Sequence, residues 1–225
     1  MADITEDKNK IKSGLIMALK CVETISSAAT VINPIFGLAG SIVRIVLHNI
    51  DDEEIQTLKK EFKSIHAGLD KISRENQKTL KGIQKVTLDN QYSQIAFKIE
   101  KQFQDFKAVI EADQGSKERL KDKFAENFES YGGDSNLHTL YDGVIGKSKV
   151  FSKPILKVYM ENSNGNRQVM ETLCTRLTYL FCIGLIALMG YTAIIEDDEE
   201  TMGEEWGKNM ENVQKEMTRV LSECH

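Results

Sequence analysis

LTYLFCIGLIALMGYTAII, residues 177–195, is a run of 19 residues that contains no charged side chain. A transmembrane helix needs roughly 20 mostly apolar residues, so this run is almost long enough to cross a bilayer. Its nine Leu, Ile and Phe residues contribute roughly −4 kcal/mol to membrane insertion, at about −0.5 kcal/mol each, and its Thr, Gly and Tyr residues reduce that gain. The run is therefore predicted to be a helix hidden from water, either in lipid or at the centre of a soluble helical bundle.

The flanks of this run indicate how it would lie in a membrane. Tyr179 and Tyr191 stand near its two ends, where interfacial aromatic residues are typical. Basic residues are commoner on the N-terminal side, which is therefore expected to be cytoplasmic if the helix spans. The predicted membrane segment consists of Leu177, Leu180, Phe181, Ile183, Leu185, Ile186, Leu188, Tyr191, Ile194 and Ile195.

A second pattern, over residues 55–86, repeats apolar residues in alternating steps of three and four. This spacing is typical of the seam of a coiled-coil-like helix, in which Asn76 and Thr79 form a polar layer. One helix over residues 51–110 would be about 90 Å long, and a break near residues 89–90 is the alternative. The predicted seam consists of Ile55, Leu58, Phe62, Ile65, Leu69, Ile72, Ile83 and Val86.

The rest of the chain is also predicted to be helical. Residues 8–47 are expected to form an apolar helical hairpin interrupted at Asn33-Pro34, since a residue before proline avoids the α region. Short helices are predicted over 116–160, with turns at 114–116, 132–134 and 162–166. The apolar helix covers 167–195, and an amphipathic helix covers 202–223. Two prolines in 225 residues are consistent with few helix breaks. We predict an all-α fold, a single elongated helical bundle over residues 1–225.

Composition argues against several functions. The net charge of −5, with Lys and Arg scattered among acids, disfavours a nucleic-acid partner. The four cysteines lack metal-site or disulfide-framework spacing, and four reduced thiols are expected. The acidic, polar N-terminus is not a secretory signal, so a cytoplasmic or membrane-associated protein is expected.

Catalytic motifs are also missing. The stretch VIGKS at residues 144–148 resembles the end of a phosphate-binding loop, but Tyr141 occupies the position of the required first glycine. A helix ending at Gly146 is the favoured interpretation. No histidine lies in a catalytic motif, and no small-molecule substrate, cofactor or metal is evident. We therefore predict that the chain is not an enzyme.

Three stretches carry a family resemblance. They are residues 133–194, beginning GDSNLHTLYDGVIGK, residues 90–103, NQYSQIAFKIEKQF, and residues 204–225, beginning EEWGKNMENVQKE. Together they resemble the rapunzel family of fish proteins, and the first 45 residues match less clearly. The resemblance implies a vertebrate protein linked with fin and skeletal growth, without known enzymatic activity. In layout the chain is also similar to cephalotoxin-like proteins and helical pore-forming toxins, which is an analogy of architecture alone.

Two hypotheses follow from these patterns. In the first, the chain associates with membrane lipid, inserts residues 177–195 and keeps its coiled-coil helices in water. In the second, the apolar helix stays buried in a soluble interaction protein, and the seam over residues 55–86 binds a helical protein partner or a second copy of the chain.

Overall fold

The computed structural model describes residues 12–18, 20, 21, 60, 63, 67, 71 and 74 and the continuous stretch 90–225. The described residues form α-helices joined by turns and loops, with no strand among them, which confirms the predicted all-α class. The continuous stretch contains α1 (Asn90–Glu111), α2 (Gln114–Ser130), α3 (Ser135–Ile145), α4 (Ile155–Ser163), α5 (Arg167–Ile194) and α6 (Glu199–Ser222). Residues 12–18, 20 and 21 are also helical and are called the N-terminal segment below.

Helix α1 buries one face along its whole length. Its apolar residues recur every three or four positions, which places them on one side of a helix. This face packs against α2, α3 and α5. Its fully buried members include Ile99, Phe103, Phe106 and Val109.

Local side-chain caps set where several helices begin and end. The Asp113 carboxylate accepts a hydrogen bond from the Ser116 amide at 2.9 Å, so α2 begins at Gln114, where the sequence analysis expected a turn. Asp198 caps α6 in the same way through Thr201, and α6 begins at Glu199, three residues before the predicted start. Helix α4 runs to Ser163, two residues into the predicted loop.

A few buried polar groups connect the helices. The Gln102 side-chain amide donates to the carbonyls of Phe128 and Gly133, at 3.1 and 2.9 Å, and so ties α1 to the turn between α2 and α3. The hydroxyls of Tyr92 and Tyr159 lie 3.1 Å apart between α1 and α4. Burial raises the pKa of both phenols, so both remain protonated at neutral pH.

Much of the predicted coiled coil lies outside the described residues. All eight predicted seam residues and most of the hairpin over residues 8–47 belong to that part of the chain. The five described positions between residues 60 and 74 are helical and exposed, and none of them belongs to the predicted seam. The seam therefore stays a prediction. The five positions are Lys60, Lys63, Ala67, Lys71 and Arg74.

Helix α5 occupies the centre of the described bundle. It packs against all five of the other helices from residue 90 onward. The N-terminal segment also lies against it, since a Cβ placed on Gly14 would stand 2.6 Å from the Met189 carbonyl oxygen. The apolar run that dominates the sequence is therefore the element around which the other helices are arranged.

Candidate functional site

Helix α5 contains the predicted membrane segment. It begins after Asn166, whose side-chain oxygen accepts a hydrogen bond from the Val169 amide at 3.0 Å. It ends at Ile194, and Glu196 then adopts a left-handed conformation with φ of 60°. Among the described helices, α5 alone is long and apolar enough to cross a membrane, and 89% of its most apolar 18-residue window is buried within the bundle. A core helix and a membrane helix share this length and apolar composition, whereas burial within the bundle is typical of a core helix.

The ten residues of the predicted membrane segment lie at different depths. Tyr191 and Ile194 are partly buried, and Ile195 is 44% exposed at the end of the helix. The seven others are at most 2% exposed, and they are distributed around the whole circumference of the helix. In this conformation the segment therefore contacts protein on every side. The seven are Leu177, Leu180, Phe181, Ile183, Leu185, Ile186 and Leu188.

The buried hydroxyls of α5 bond to the backbone of the same helix. Thr175 donates to the Glu171 carbonyl at 2.7 Å, and Thr178 and Thr192 donate to the carbonyls of Cys174 and Leu188, both at 2.9 Å. A threonine in a helix can bond the carbonyl four residues earlier in this way. Because these bonds lie within α5, the helix would keep them in any environment that preserves its helical form.

Two glycines allow neighbouring helices to approach α5 closely. A Cβ placed on Gly184 would lie 2.5 Å from Leu137 Cδ1 of α3. At Gly190 the Phe106 ring of α1 occupies the space that a Cβ would need. A glycine inside a helix costs about 1 kcal/mol relative to alanine, so its presence at a buried position indicates a close contact. The residue pattern of α5 did not predict these contacts, although glycine within an apolar helix was the available signal.

Polar and aromatic contacts hold the two ends of α5. Near its N-terminal end, the Arg176 guanidinium forms an ion pair with Glu100 of α1 and lies 5.0 Å from the centre of the Tyr179 ring. Near its C-terminal end, the Tyr191 ring stacks on Phe128 of α2 with centroids 4.3 Å apart. The aromatic residues that the sequence analysis placed at a membrane interface therefore contact protein here.

The phosphate-loop resemblance at residues 144–148 corresponds to a helix end. Gly146 has a φ of 80° and terminates α3 in the left-handed conformation. The amides of Lys147 and Ser148 both donate to the Asp142 carbonyl, at 2.9 and 3.1 Å. These amides are already engaged, so they do not form the cradle that a phosphate requires.

Other polar clusters have structural explanations. His138 of α3 lies 3.7 Å from carboxylate oxygens of both Asp134 and Glu205, and its ring packs 4.8 Å from Trp206, so the group joins α3 to α6. All four cysteines are free thiols, and three of them are buried. Across the described residues, no group of three or more His, Cys, Asp or Glu side chains is placed to hold a metal ion.

Comparison with known proteins identifies the family. The family model named cephalotoxin-like middle helical domain matches residues 49–225, which begins after the N-terminal segment. The chain is 53% identical over 226 residues to Protein rapunzel of Danio rerio, with all of both chains covered. No solved structure matches. The chain therefore belongs to the rapunzel family, and most of it, from residue 49 onward, is a cephalotoxin-like middle helical domain.

Proposed function

We propose that this chain is a non-enzymatic, membrane-associating protein that stores a membrane-length helix inside a water-soluble bundle and releases it into lipid. The observation that carries the proposal is α5 itself, which is long and apolar enough to span a bilayer and bonds its buried threonines to its own backbone. Unsatisfied polar groups are what most strongly exclude a segment from lipid. Because these hydrogen bonds lie within α5, transfer of the helix into lipid would leave the threonine hydroxyls bonded.

Transfer of α5 from the bundle to the bilayer involves opposing free-energy terms. Lipid tails are about as apolar as a protein core, so moving α5 from the bundle to the bilayer changes its hydrophobic burial little. The main opposing term is the exposure to water of the apolar faces of the five helices that pack against α5, to which the loss of close packing at Gly184 and Gly190 and of the ion pair between Arg176 and Glu100 adds. Domain stabilities are only about 5–15 kcal/mol in total. Release of α5 therefore requires that the other helices also cover their apolar faces, with lipid or with one another.

The charges at the ends of α5 suggest its orientation in a membrane. Lys153, Lys157, Arg167 and Arg176 precede the uncharged run over residues 177–195, and an acidic run over residues 196–200 follows it. Positive residues remain preferentially on the cytoplasmic side. The N-terminal end of α5 is therefore assigned to the cytoplasmic face, with the acidic run on the opposite face.

The comparisons support a membrane-active protein more than a catalytic one. The name of the matched family refers to a toxin, and neither that name nor the name of the zebrafish relative refers to an enzymatic reaction. A layout like that of helical pore formers agrees with a long apolar helix held within a helical bundle. The link with fin and skeletal growth that the sequence resemblance implies stays a prediction.

Vesicle flotation and lipid quenching test the proposal. The full chain is mixed with vesicles of phosphatidylcholine and phosphatidylserine, and Tyr179→Trp is combined with Trp206→Phe to place the only tryptophan on α5. We expect the protein to float with the vesicles and lipids with brominated tails to quench the tryptophan on α5. The wild-type chain, whose only tryptophan is Trp206 on α6, is the matched control and should be quenched less.

A variant with weaker packing around α5 makes an absence of vesicle binding informative. Gly190→Ala should weaken the packing of α5 against Phe106 and increase flotation, whereas Gly207→Ala has nothing within 4 Å of the added carbon and should not. If neither the wild-type chain nor Gly190→Ala floats or is quenched, although denaturation shows that Gly190→Ala is less stable, the membrane proposal is wrong.

A soluble interaction protein is the second candidate, and the burial of α5 favours it. Twenty of the 28 residues of α5 are buried, which is also how a permanent core helix would look. In that case the function would belong to the predicted seam over residues 55–86, which would bind a partner helix or a second copy of the chain. A stable dimer or hetero-complex that ignores vesicles and is disrupted by Leu69→Glu would support this alternative.

A further inference from the structure

The N-terminal segment touches the backbone of α5 directly. A Cβ placed on Gly14 would stand 2.6 Å from the Met189 carbonyl oxygen and 3.3 Å from the Ala193 side chain. A carbonyl in the middle of a helix cannot move away as a flexible side chain can. Glycine at residue 14 is therefore what permits this approach to the last two turns of α5.

A second contact joins the same segment to α6. The Met17 side chain fills the space that a Cβ on Gly203 would occupy, and the Cys21 thiol donates to the Gly203 carbonyl at 3.5 Å. Burial raises the pKa of the Cys21 thiol to about 11, which keeps it protonated as a donor. Between these contacts Leu15 and Ala18 are completely buried. The segment thus crosses from α5 to α6 and packs against both.

This position is significant because α5 and α6 are consecutive helices. The segment bridges them near the connection between Ile194 and Glu199, at the C-terminal end of the predicted membrane segment. Helix α5 cannot separate from α6 without breaking the contacts of the segment with one of the two helices. The segment also lies outside residues 49–225, which the helical-domain model matches, so it is an addition to that domain.

We propose that the N-terminal segment forms a detachable strap that retains α5 in the bundle and that its departure precedes membrane association. This inference rests on the proposed function and adds its regulation. Among the described residues of the strap, only Leu15, Ala18 and Cys21 have buried side chains, and local detachment costs less than global unfolding. Any event that unseats it would expose the end of α5 that borders the acidic run.

The experiment uses the full chain with Gly14→Val, which places a branched side chain against the Met189 carbonyl and should unseat the strap. Ser13→Val is the matched control, because Ser13 is exposed and adjacent. Detachment is measured as the rate at which N-ethylmaleimide modifies Cys21, resolved by peptide mass spectrometry. We expect Gly14→Val to raise this rate by about tenfold or more, as for local opening, while Cys182 in the core of α5 stays protected without lipid.

Association with phosphatidylcholine–phosphatidylserine vesicles is then followed over time. We expect Gly14→Val to associate faster than the wild-type chain and Ser13→Val to match the wild-type chain. Unchanged Cys21 labelling in Gly14→Val would overturn the strap, as would faster labelling combined with wild-type kinetics of vesicle association. That second result would leave the proposed function intact, whereas failure of all forms to bind vesicles would count against the proposed function itself.

A milder variant guards against general unfolding. If Cys182 in Gly14→Val reacts as fast as Cys21, Met17→Gln replaces it, because this change weakens the contact at Gly203 without introducing a clash. The expected result is a smaller increase in Cys21 labelling and in the rate of vesicle association. An unchanged rate of vesicle association, despite faster Cys21 labelling, would overturn the strap.

Discussion

Helices α5 and α6 are neighbours of similar length, 28 and 24 residues, but they are buried in different ways. Helix α6 buries seven residues along one stripe and exposes charged residues on its other side. Helix α5 buries 20 residues around its whole circumference. A stripe shows which way a helix faces, whereas uniform burial shows only that a helix is surrounded. Under the membrane proposal, uniform burial would let α5 exchange one apolar environment for another, whereas α6 needs an interface between apolar and aqueous surroundings.

The largest expected effect comes from placing a charge on each helix. Leu185→Lys puts an unpaired ammonium group in the core and should reduce the free energy of unfolding by at least about 3–5 kcal/mol. Glu211→Lys, on the exposed side of α6, should change it by less than about 0.5 kcal/mol. Urea denaturation measures both. A mild effect of Leu185→Lys would mean that α5 has a face open to water in solution.

A matched pair of glycine substitutions compares the two helices next. Gly190→Ala drives a methyl group into Phe106 and should reduce the free energy of unfolding by about 1–3 kcal/mol. Gly207→Ala, in open space on α6, should increase it by about 0.5–1 kcal/mol, because alanine is the better helix former. Thermal and urea denaturation would report opposite signs. The same sign for both would show that Phe106 moves away from α5 easily.

A smaller effect is expected where α6 meets α3. The Trp206 indole N–H is buried and finds no acceptor among the described residues, and such a group costs about 1–3 kcal/mol. Trp206→Phe removes this N–H but loses packing against His138 and Tyr141. The two effects should offset each other to within about 1 kcal/mol. A much larger loss of stability in urea would indicate that the N–H is in fact bonded in solution.

The smallest expected effect on stability comes from the N-terminal caps of α5 and α6, which should respond differently to pH. The Thr201 side chain and amide hold the pKa of Asp198 below its ordinary value, so the charged cap stabilises the folded state. This contribution is present above the unfolded pKa of roughly 3.9 and is lost as the pH falls through the folded pKa.

The measurement is the melting temperature across pH. Asp198→Ala should lower it at pH 7 and leave it unchanged in strong acid, whereas Asp198→Asn should preserve the cap. At α5, where the cap is Asn166 and does not titrate, Asn166→Ala should have an effect that does not depend on pH. A constant effect of Asp198→Ala at every pH would show that its carboxylate charge is not involved.

Residue pattern was sufficient to predict most of the described helices. The amphipathic helix predicted over residues 202–223 corresponds to α6 with its buried stripe, and Gly146 predicted the end of α3. Two of the boundaries that differed, at Gln114 and Glu199, depend on carboxylate caps one residue earlier. A cap at Asp113 or Asp198 competes with turn formation by the same residue types, so pattern alone did not decide between them.

The candidate site could be located but not described from the sequence. The uncharged run over residues 177–195 predicted a helix that must be shielded from water. No sequence pattern showed that Phe106 and Leu137 approach the glycines of this run. The strap was also missed, because the contacts of Gly14 with Met189 and of Met17 with Gly203 join residues far apart in the chain. Such contacts depend on how whole helices cross, which local periodicity does not encode.

The sequence alone determined that this protein is helical and that one helix must be hidden from water, because helical periodicity and the absence of charge are local properties of the chain. The tertiary structure alone decided what hides that helix. The cover is supplied by α1, α2, α3, α4, α6 and the N-terminal segment, through close contacts at glycines and an ion pair at one end. The physical reason is that the hydrophobic effect is non-directional and does not specify which surface buries an apolar helix. Only the shapes of the neighbouring surfaces select which partner provides it.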